Sequence, residues 1–253
     1  MSKIAPHPFR RIHRFAAARF SPEGEYGLHL TIGLVLLLGA MALFAELAGA
    51  VVAGAPITQL DADIANWLHL HASQGGPLRD ALLFLTHMHS TPGILAMVSC
   101  VVLWLYLRGH RYWMIAVIAS VPGGMLLNMA LKHTFERARP HFAEPIVTLT
   151  TYSFPSGHTM ASTVLYGVLA CYFARRAQSW TGRVLPFVLA ALMIGTIAFS
   201  RMYLGAHYLT DILAALVEGC GWLAICISGT ATLNRRRAAR ERRASGAAPS
   251  QEI

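Results

Sequence analysis

Six apolar runs separated by short polar segments set the pattern of this chain. The first, Leu28–Ala45, holds 18 residues without Asp, Glu, Lys or Arg, enough to cross a hydrocarbon core. Ala81–Leu107 forms a second span, with a kink predicted at Thr91-Pro92-Gly93. Tyr112–Leu131 forms a third, with another break predicted at Pro122-Gly123-Gly124. Thr159–Ala174, Val184–Phe199 and Ile212–Gly229 follow as a short fourth, a fifth and a sixth. Between the first two runs, Leu60, Ile64, Trp67, Leu68 and His71 share a helical face, while Asp61, Asp63 and Asn66 fall elsewhere. That pattern predicts an amphipathic helix over Ile57–His71, lying on a membrane surface. The expected fold is all-α, a six-transmembrane-helix bundle. Residues 1–27 form a basic N-terminal segment, 28–229 the six-span domain, and 230–253 an arginine-rich tail expected to be disordered.

Composition agrees with a membrane setting. Of 253 residues, 55% are apolar and 13% charged, with mean hydropathy +0.48; soluble domains carry about 25% charged residues. The net charge of +9 would suit nucleic acid, but its distribution points elsewhere. With the N-terminus inside and six spans, 16 of the 21 lysines and arginines fall on one side. The positive-inside rule then sets both termini in the cytoplasm, and no nucleic-acid partner is needed. Basic residues precede the first apolar run, but it is too long for a signal-peptide core and reads as a retained span. Cys100, Cys171, Cys220 and Cys226 sit in apolar runs and read as small buried hydrophobes without a disulfide framework.

The five basic residues left outside are Arg79, Lys132, Arg137, Arg139 and Arg201. Apart from Arg79, they cluster at the ends of spans three and five, where an anionic ligand would explain them. Lys132 and Arg139 stand seven residues apart, two turns of a continuing helix, before Pro140 turns the chain. Taken alone, these two read more plainly as interfacial anchors. Phe154-Pro155-Ser156-Gly157-His158 precedes the fourth span; Ser156 suits an N-cap, Gly157 opens the backbone, and a helix N-terminus attracts anions. An ordinary capped helix start is the plainer alternative. In Ser200–Asp211, a helix from Ala206 onward would hold His207 and Asp211 one turn apart, either as a structural pair or as a catalytic one. Taken together, the segments supply three cations, an anion nest, one histidine backed by a carboxylate and one without a partner. That set suits phosphoryl transfer through a covalent histidine intermediate.

Lys132-x6-Arg139-Pro140, Pro155-Ser156-Gly157-His158 and Ser200-Arg201-x5-His207-x3-Asp211 resemble the three-part signature of the type 2 phosphatidic acid phosphatase family, whose site is shared with vanadium haloperoxidases. The resemblance implies that His207 attacks phosphorus and Asp211 orients it. It also implies that His158 protonates the leaving oxygen and later activates water. Lys132, Arg139, Arg201, Ser156 and the Gly157 backbone would hold the phosphoryl oxygens. Positioning and electrostatics carry most of such catalysis, so no metal or other cofactor is expected. The implied partner is a lipid phosphate or pyrophosphate at the outer leaflet of a bacterial inner membrane. Undecaprenyl pyrophosphate is the first expected substrate, followed by phosphatidic acid and phosphatidylglycerol phosphate. A phosphotransferase using the same intermediate, or a non-catalytic membrane protein with a vestigial anion site, are the alternatives.

Four further positions draw attention. His87 and His89 flank Met88 and read as lining the substrate entrance rather than as a metal pair. Glu218, seven residues after Asp211, reads as an intramembrane structural hydrogen-bonding group, and Asn128 as one bonding across helices.

Overall fold

The computed structural model describes residues 27–244, and all of its regular structure there is helical, with no strand. The elements are α1 (Leu28–Val52), α2 (Ile57–Ser73), α3 (Pro77–Met88), α4 (Thr91–Leu107), α5 (Arg111–Phe135), α6 (Gly157–Arg176), α7 (Trp180–Tyr203) and α8 (Leu209–Ala244). Residues 1–26 and 245–253, which hold most of the expected basic segment and the end of the tail, lie outside the described residues. The tail's first part is not disordered. Instead, α8 runs on through it to Ala244.

Among the described residues, α1, α5, α7 and α8 are long and apolar enough to cross a membrane, and α3 with α4 makes a fifth if the bent pair counts as one. The bend of 60° falls between Met88 and Thr91, where the Thr91-Pro92-Gly93 kink was expected. The expected fourth span, within α6, is long enough at 20 residues but is not among the helices sufficiently apolar. Its position explains why. Ten of its residues are buried, and it packs against α5, α7 and α8 at the centre of the molecule. A helix sheathed by protein need not be apolar toward lipid, so α6 can carry Ser162 and Thr163. Their hydroxyls bond the carbonyls of His158 and Thr159 one turn back. By contrast, α1 buries only Gly33 and Ala48, and its Leu34, Val35 and Leu38 are exposed, the signature of a lipid-facing helix.

The predicted break at Pro122-Gly123-Gly124 does not occur; α5 runs unbroken through Pro122. The glycines serve packing. A Cβ at Gly124 would lie 2.4 Å from Met160 Cε and 3.0 Å from Trp222 Cδ1, so the glycine leaves room for these side chains of α6 and α8. Near the missing Pro122 donor, Trp222 Nε1 donates to the Ala119 and Ser120 carbonyls at 3.2 and 3.0 Å.

Helix α2 differs from its predicted amphipathicity. Its inward side is Asp61, Ala65, Leu68 and Ala72, whereas Leu60 and Trp67 point outward. Asp61, read as part of a solvated face, is 1% exposed, because a cation from a distant loop meets it. The cysteines also divide: Cys226 is buried and Cys171 partly so, but Cys100 and Cys220 are exposed.

Candidate active site

The chain between α5 and α6 delivers the site's cations. Helix α5 ends at Phe135 and Glu136 takes a left-handed conformation (φ 45°), so Lys132 and Arg139 do not share a continuing helical face as predicted. They converge through the loop instead. Lys132 Nζ donates to the Tyr152 carbonyl at 2.6 Å. Arg139 donates from Nε to the Thr151 carbonyl (2.7 Å) and from Nη1 to the Ala206 carbonyl (2.6 Å), tying the loop to the segment before α8. An aromatic cluster of Phe44, Phe135 and Phe154 seats the loop's far end.

His207 lies two residues before α8 begins, not within a helix running from Ala206 as expected. The pair with Asp211 still forms, Nδ1 to Oδ2 at 3.3 Å, because Asp211 sits in the first turn of α8 and reaches back. The same carboxylate accepts the Tyr208 backbone N–H at 2.9 Å, the reach-back half of a capping box. Ser153 donates its hydroxyl to Asp211 as well. On the other side of the imidazole, Arg139 Nη1 stands 3.2 Å from Nε2. A guanidinium only donates, so Nε2 is the acceptor and Nδ1 carries the proton toward Asp211. Burial pushes the His207 pKa down to about 3, outweighing the opposing pull of Asp211; Arg139 and Arg201 add to the lowering. The resting imidazole is neutral, with its lone pair on Nε2.

A cavity of about 550 Å³ opens beside it. Lys132, Arg139, Arg201, His158, His207 and Gly157 all line it, so six of the eight residues singled out in the sequence share one space. Asp211 stands behind His207. Ser156 is fully buried, begins α6 at the N-cap position and bonds no backbone amide with its side chain; its Oγ accepts from Thr159 at 3.1 Å. The opposite wall is apolar, built by Ile94, Leu95, Met125, Leu126 and Met129 of α4 and α5. Arg201 is 2% exposed, yet its Nε has no hydrogen-bond partner among the described residues. Among the described residues, no three His, Cys, Asp or Glu side chains group as metal ligands.

Several residues that hold this arrangement were not legible from motifs. Arg137, counted only as an outer cation, forms ion pairs with Asp211 (2.6 Å) and Asp61 (2.8 Å). Thr210 joins the group, donating its backbone N–H to Asp61 at 2.9 Å and its hydroxyl to the same carboxylate. Thr86, near the end of α3, accepts from Arg201 through Oγ1, and its backbone acts on the His158 ring. It therefore acts on two cavity groups at once, and His158 has a backbone neighbour where His207 has a carboxylate. His89 lines the cavity, as expected of the entrance histidines, with Nδ1 on the Leu85 carbonyl and Nε2 on Tyr166. His87 is exposed and is not among the lining residues. Asn128 donates to Glu218 at 2.8 Å, the interhelical bond expected of both.

Known proteins carry related segments. The PAP2 superfamily profile matches residues 113–235, a stretch that contains all three motifs. Phosphatidylglycerophosphatase B of Bacillus subtilis is 27% identical over 143 residues, covering 56% of this chain and 70% of that protein. Undecaprenyl-diphosphatase BcrC of the same organism is 29% identical over 121 residues, covering 46% of this chain and 57% of that protein. Among solved structures, a transmembrane PAP2-type phosphatidylglycerolphosphate phosphatase from Bacillus subtilis superposes with a TM-score of 0.62 at 23% identity, over 81% of this chain and 96% of that one, a likeness of fold. With its three motifs gathered around one cavity among helices long and apolar enough to cross a membrane, the chain is similar to the PAP2 superfamily over residues 113–235.

Proposed function

We propose that this protein hydrolyses the phosphate ester or diphosphate of a membrane lipid through a phosphohistidine on His207. One observation carries the reading: a neutral His207, with Nδ1 held by Asp211, presents the Nε2 lone pair beside three cations. In the first step Nε2 attacks phosphorus, the bond from phosphorus to the leaving oxygen breaks, and His158 gives that oxygen its proton. In the second, His158 takes a proton from water, whose oxygen attacks phosphorus as the N–P bond breaks and inorganic phosphate departs. Lys132, Arg139 and Arg201, with Ser156 and the Gly157 backbone N–H, stabilise the phosphoryl oxygens, so the reaction is metal-independent. The cavity's apolar wall accommodates the first part of a lipid tail beside the phosphate.

The topology belongs to the same proposal: six crossings with α6 as the fourth, both termini cytoplasmic, and the site at the outer face of a bacterial inner membrane. Among substrates, undecaprenyl pyrophosphate comes first, then phosphatidylglycerol phosphate or phosphatidic acid. The relatives' names support both of the first two headgroup types. The test is phosphate release by purified protein from a panel of these lipids, with and without EDTA. Turnover of at least one lipid, unchanged by EDTA, is expected; abolition by EDTA with restoration by magnesium would sink the metal-free mechanism. Adding candidate hydroxyl acceptors distinguishes hydrolysis from phosphotransfer, since a transferase releases little phosphate without moving it to the acceptor.

Thr86 offers a sharper probe of positioning. Thr86→Val keeps the backbone that acts on His158 but removes the hydroxyl that holds Arg201. A hydrogen bond to a charged group contributes about 1.5–3 kcal/mol, so kcat/KM should fall roughly 10- to 100-fold. Thr86→Ser should restore most of it. Equal losses in both variants would show that packing, not the hydroxyl, matters at this position.

A further inference from the structure

At the end of the bundle away from His207, α1, α6 and α8 enclose a second cavity of about 490 Å³. Helices α1 and α8 pack along much of their length, with Gly221 also close to Ala40. A Cβ at Gly33 would stand 2.1 Å from Ser228 Oγ, so the backbones meet there and the flanking small residues, Cys220 and Ala224 among them, leave a slot. Ile32, Leu36 and Leu223 make the walls apolar. The slot's polar lining includes His29 and Arg175.

His29 has a definite donor pattern. Thr232 Oγ1 gives its proton to the Ser228 carbonyl at 2.8 Å, so it accepts from His29 Nε2 at 3.1 Å. With Nε2–H as the donor, the buried Nδ1 of a neutral ring is an acceptor, and it has no hydrogen-bond partner among the described residues. Arg175, in the last turn of α6, has no carboxylate within ion-pair reach among the described residues. The charges of Arg235 and Arg175 both act at His29, and these two arginines also line a small adjoining cavity with Tyr112 and Asn234. The mouth of an apolar slot is therefore cationic, and beside it lies an unfilled acceptor.

We propose that this slot binds one anionic phospholipid with a hydroxyl-bearing headgroup, of the phosphatidylglycerol type, in the leaflet opposite the catalytic cavity. Its phosphate pairs with Arg175, a headgroup hydroxyl donates to His29 Nδ1, and one acyl chain fills the slot. Basic pockets between membrane helices recognise anionic headgroups in this way. A buried acceptor left unpaired is costly, so filling it favours a headgroup that can donate. The inference stands on these residues and not on the proposed catalytic reaction.

Thermal unfolding of the full chain in detergent, with phosphatidylglycerol, phosphatidic acid or phosphatidylcholine added at equal concentration, tests it. Phosphatidylglycerol should raise Tm by about 5 °C, phosphatidic acid by less, and phosphatidylcholine hardly at all. Arg175→Gln and the slot-filling Cys220→Phe should each cut the phosphatidylglycerol shift by more than half. His29→Phe should erase the advantage of phosphatidylglycerol over phosphatidic acid. Equal shifts from all three lipids would mean unselective annular contact and overturn the proposal. A shift lost in Arg201→Ala but kept in Arg175→Gln would assign the lipid to the catalytic cavity and overturn it too. Should a variant fail to fold, native mass spectrometry of the wild type decides: no preferential retention of phosphatidylglycerol over phosphatidylcholine refutes the site.

Discussion

Replacing His207 with alanine should lower kcat for lipid phosphate release by about 10⁴-fold or more, a barrier increase of roughly 5.5 kcal/mol. The fold should survive, because Asp211 does not depend on His207 for its neutralisation. Without the imidazole, that carboxylate still accepts from Arg137, Ser153 and the Tyr208 backbone. The measurement is single-turnover phosphate release with Tm as the control. A brief pulse of radiolabelled substrate should leave acid-labile, base-stable label on the wild type and none on His207→Ala. Full activity in the variant would remove the proposed nucleophile. The low pKa of His207, about 3, adds a signed expectation. Because the folded imidazole protonates only far below its ordinary value of about 6.5, the unfolded chain binds more protons between those pH values. This residue's contribution therefore makes stability fall as pH drops from about 6.5 toward 3, and His207→Ala should flatten that slope. In the active enzyme, its nucleophilic form should persist at pH 5.

Arg137→Ala should be the most destabilising single change near the site. Its guanidinium reaches Asp211 with Nη1 and Asp61 with Nη2, and both carboxylates are fully shielded from solvent. Deleting the shared cation leaves two carboxylates buried close together, a loss of about 3–5 kcal/mol for a broken buried pair. Lysine is no substitute, since one ammonium cannot reproduce a planar fork that serves two acceptors. Arg137→Lys should therefore recover little of the loss. Combining Asp61→Asn with Arg137→Ala should be less damaging than the sum of the single changes, because each removes a charge the other would strand. Wild-type Tm and activity in Arg137→Ala would contradict this account. If the fold survives in detergent, kcat should still drop, since Asp211 would lose one of the contacts that aim it at His207.

These two sites differ in how visible they were beforehand. His207 and Asp211 are four residues apart, and that spacing suggested their pairing even though the helix starts later than expected. Asp211 reaches back from the first turn of α8, so the pair needed proximity in sequence rather than a shared helix. Arg137 and Asp61 are 76 residues apart, and nothing local marks them as partners. On α2, Asp61 followed the pattern of a polar face, and only the arriving guanidinium makes that position an interior one. Thr86 was silent for a similar reason: its hydroxyl and its backbone act on groups from α7 and α6.

The sequence by itself determined the apolar runs, the bend before α4 and the gathering of cations and histidines in three motifs. Hydropathy and short-range spacing are properties of contiguous residues, so they can be read along the chain. Only the tertiary structure decided that α6 is a sheathed central helix, that Pro122 leaves α5 intact, and that Asp61, Arg137 and Thr86 belong to the site. Each of those outcomes depends on what another helix brings into contact: Trp222 against the glycines beside Pro122, Arg137 against Asp61, and α5, α7 and α8 around α6. Burial is a property of the packed whole, and it changes a polar side chain from a solvated surface group into an obligatory partner.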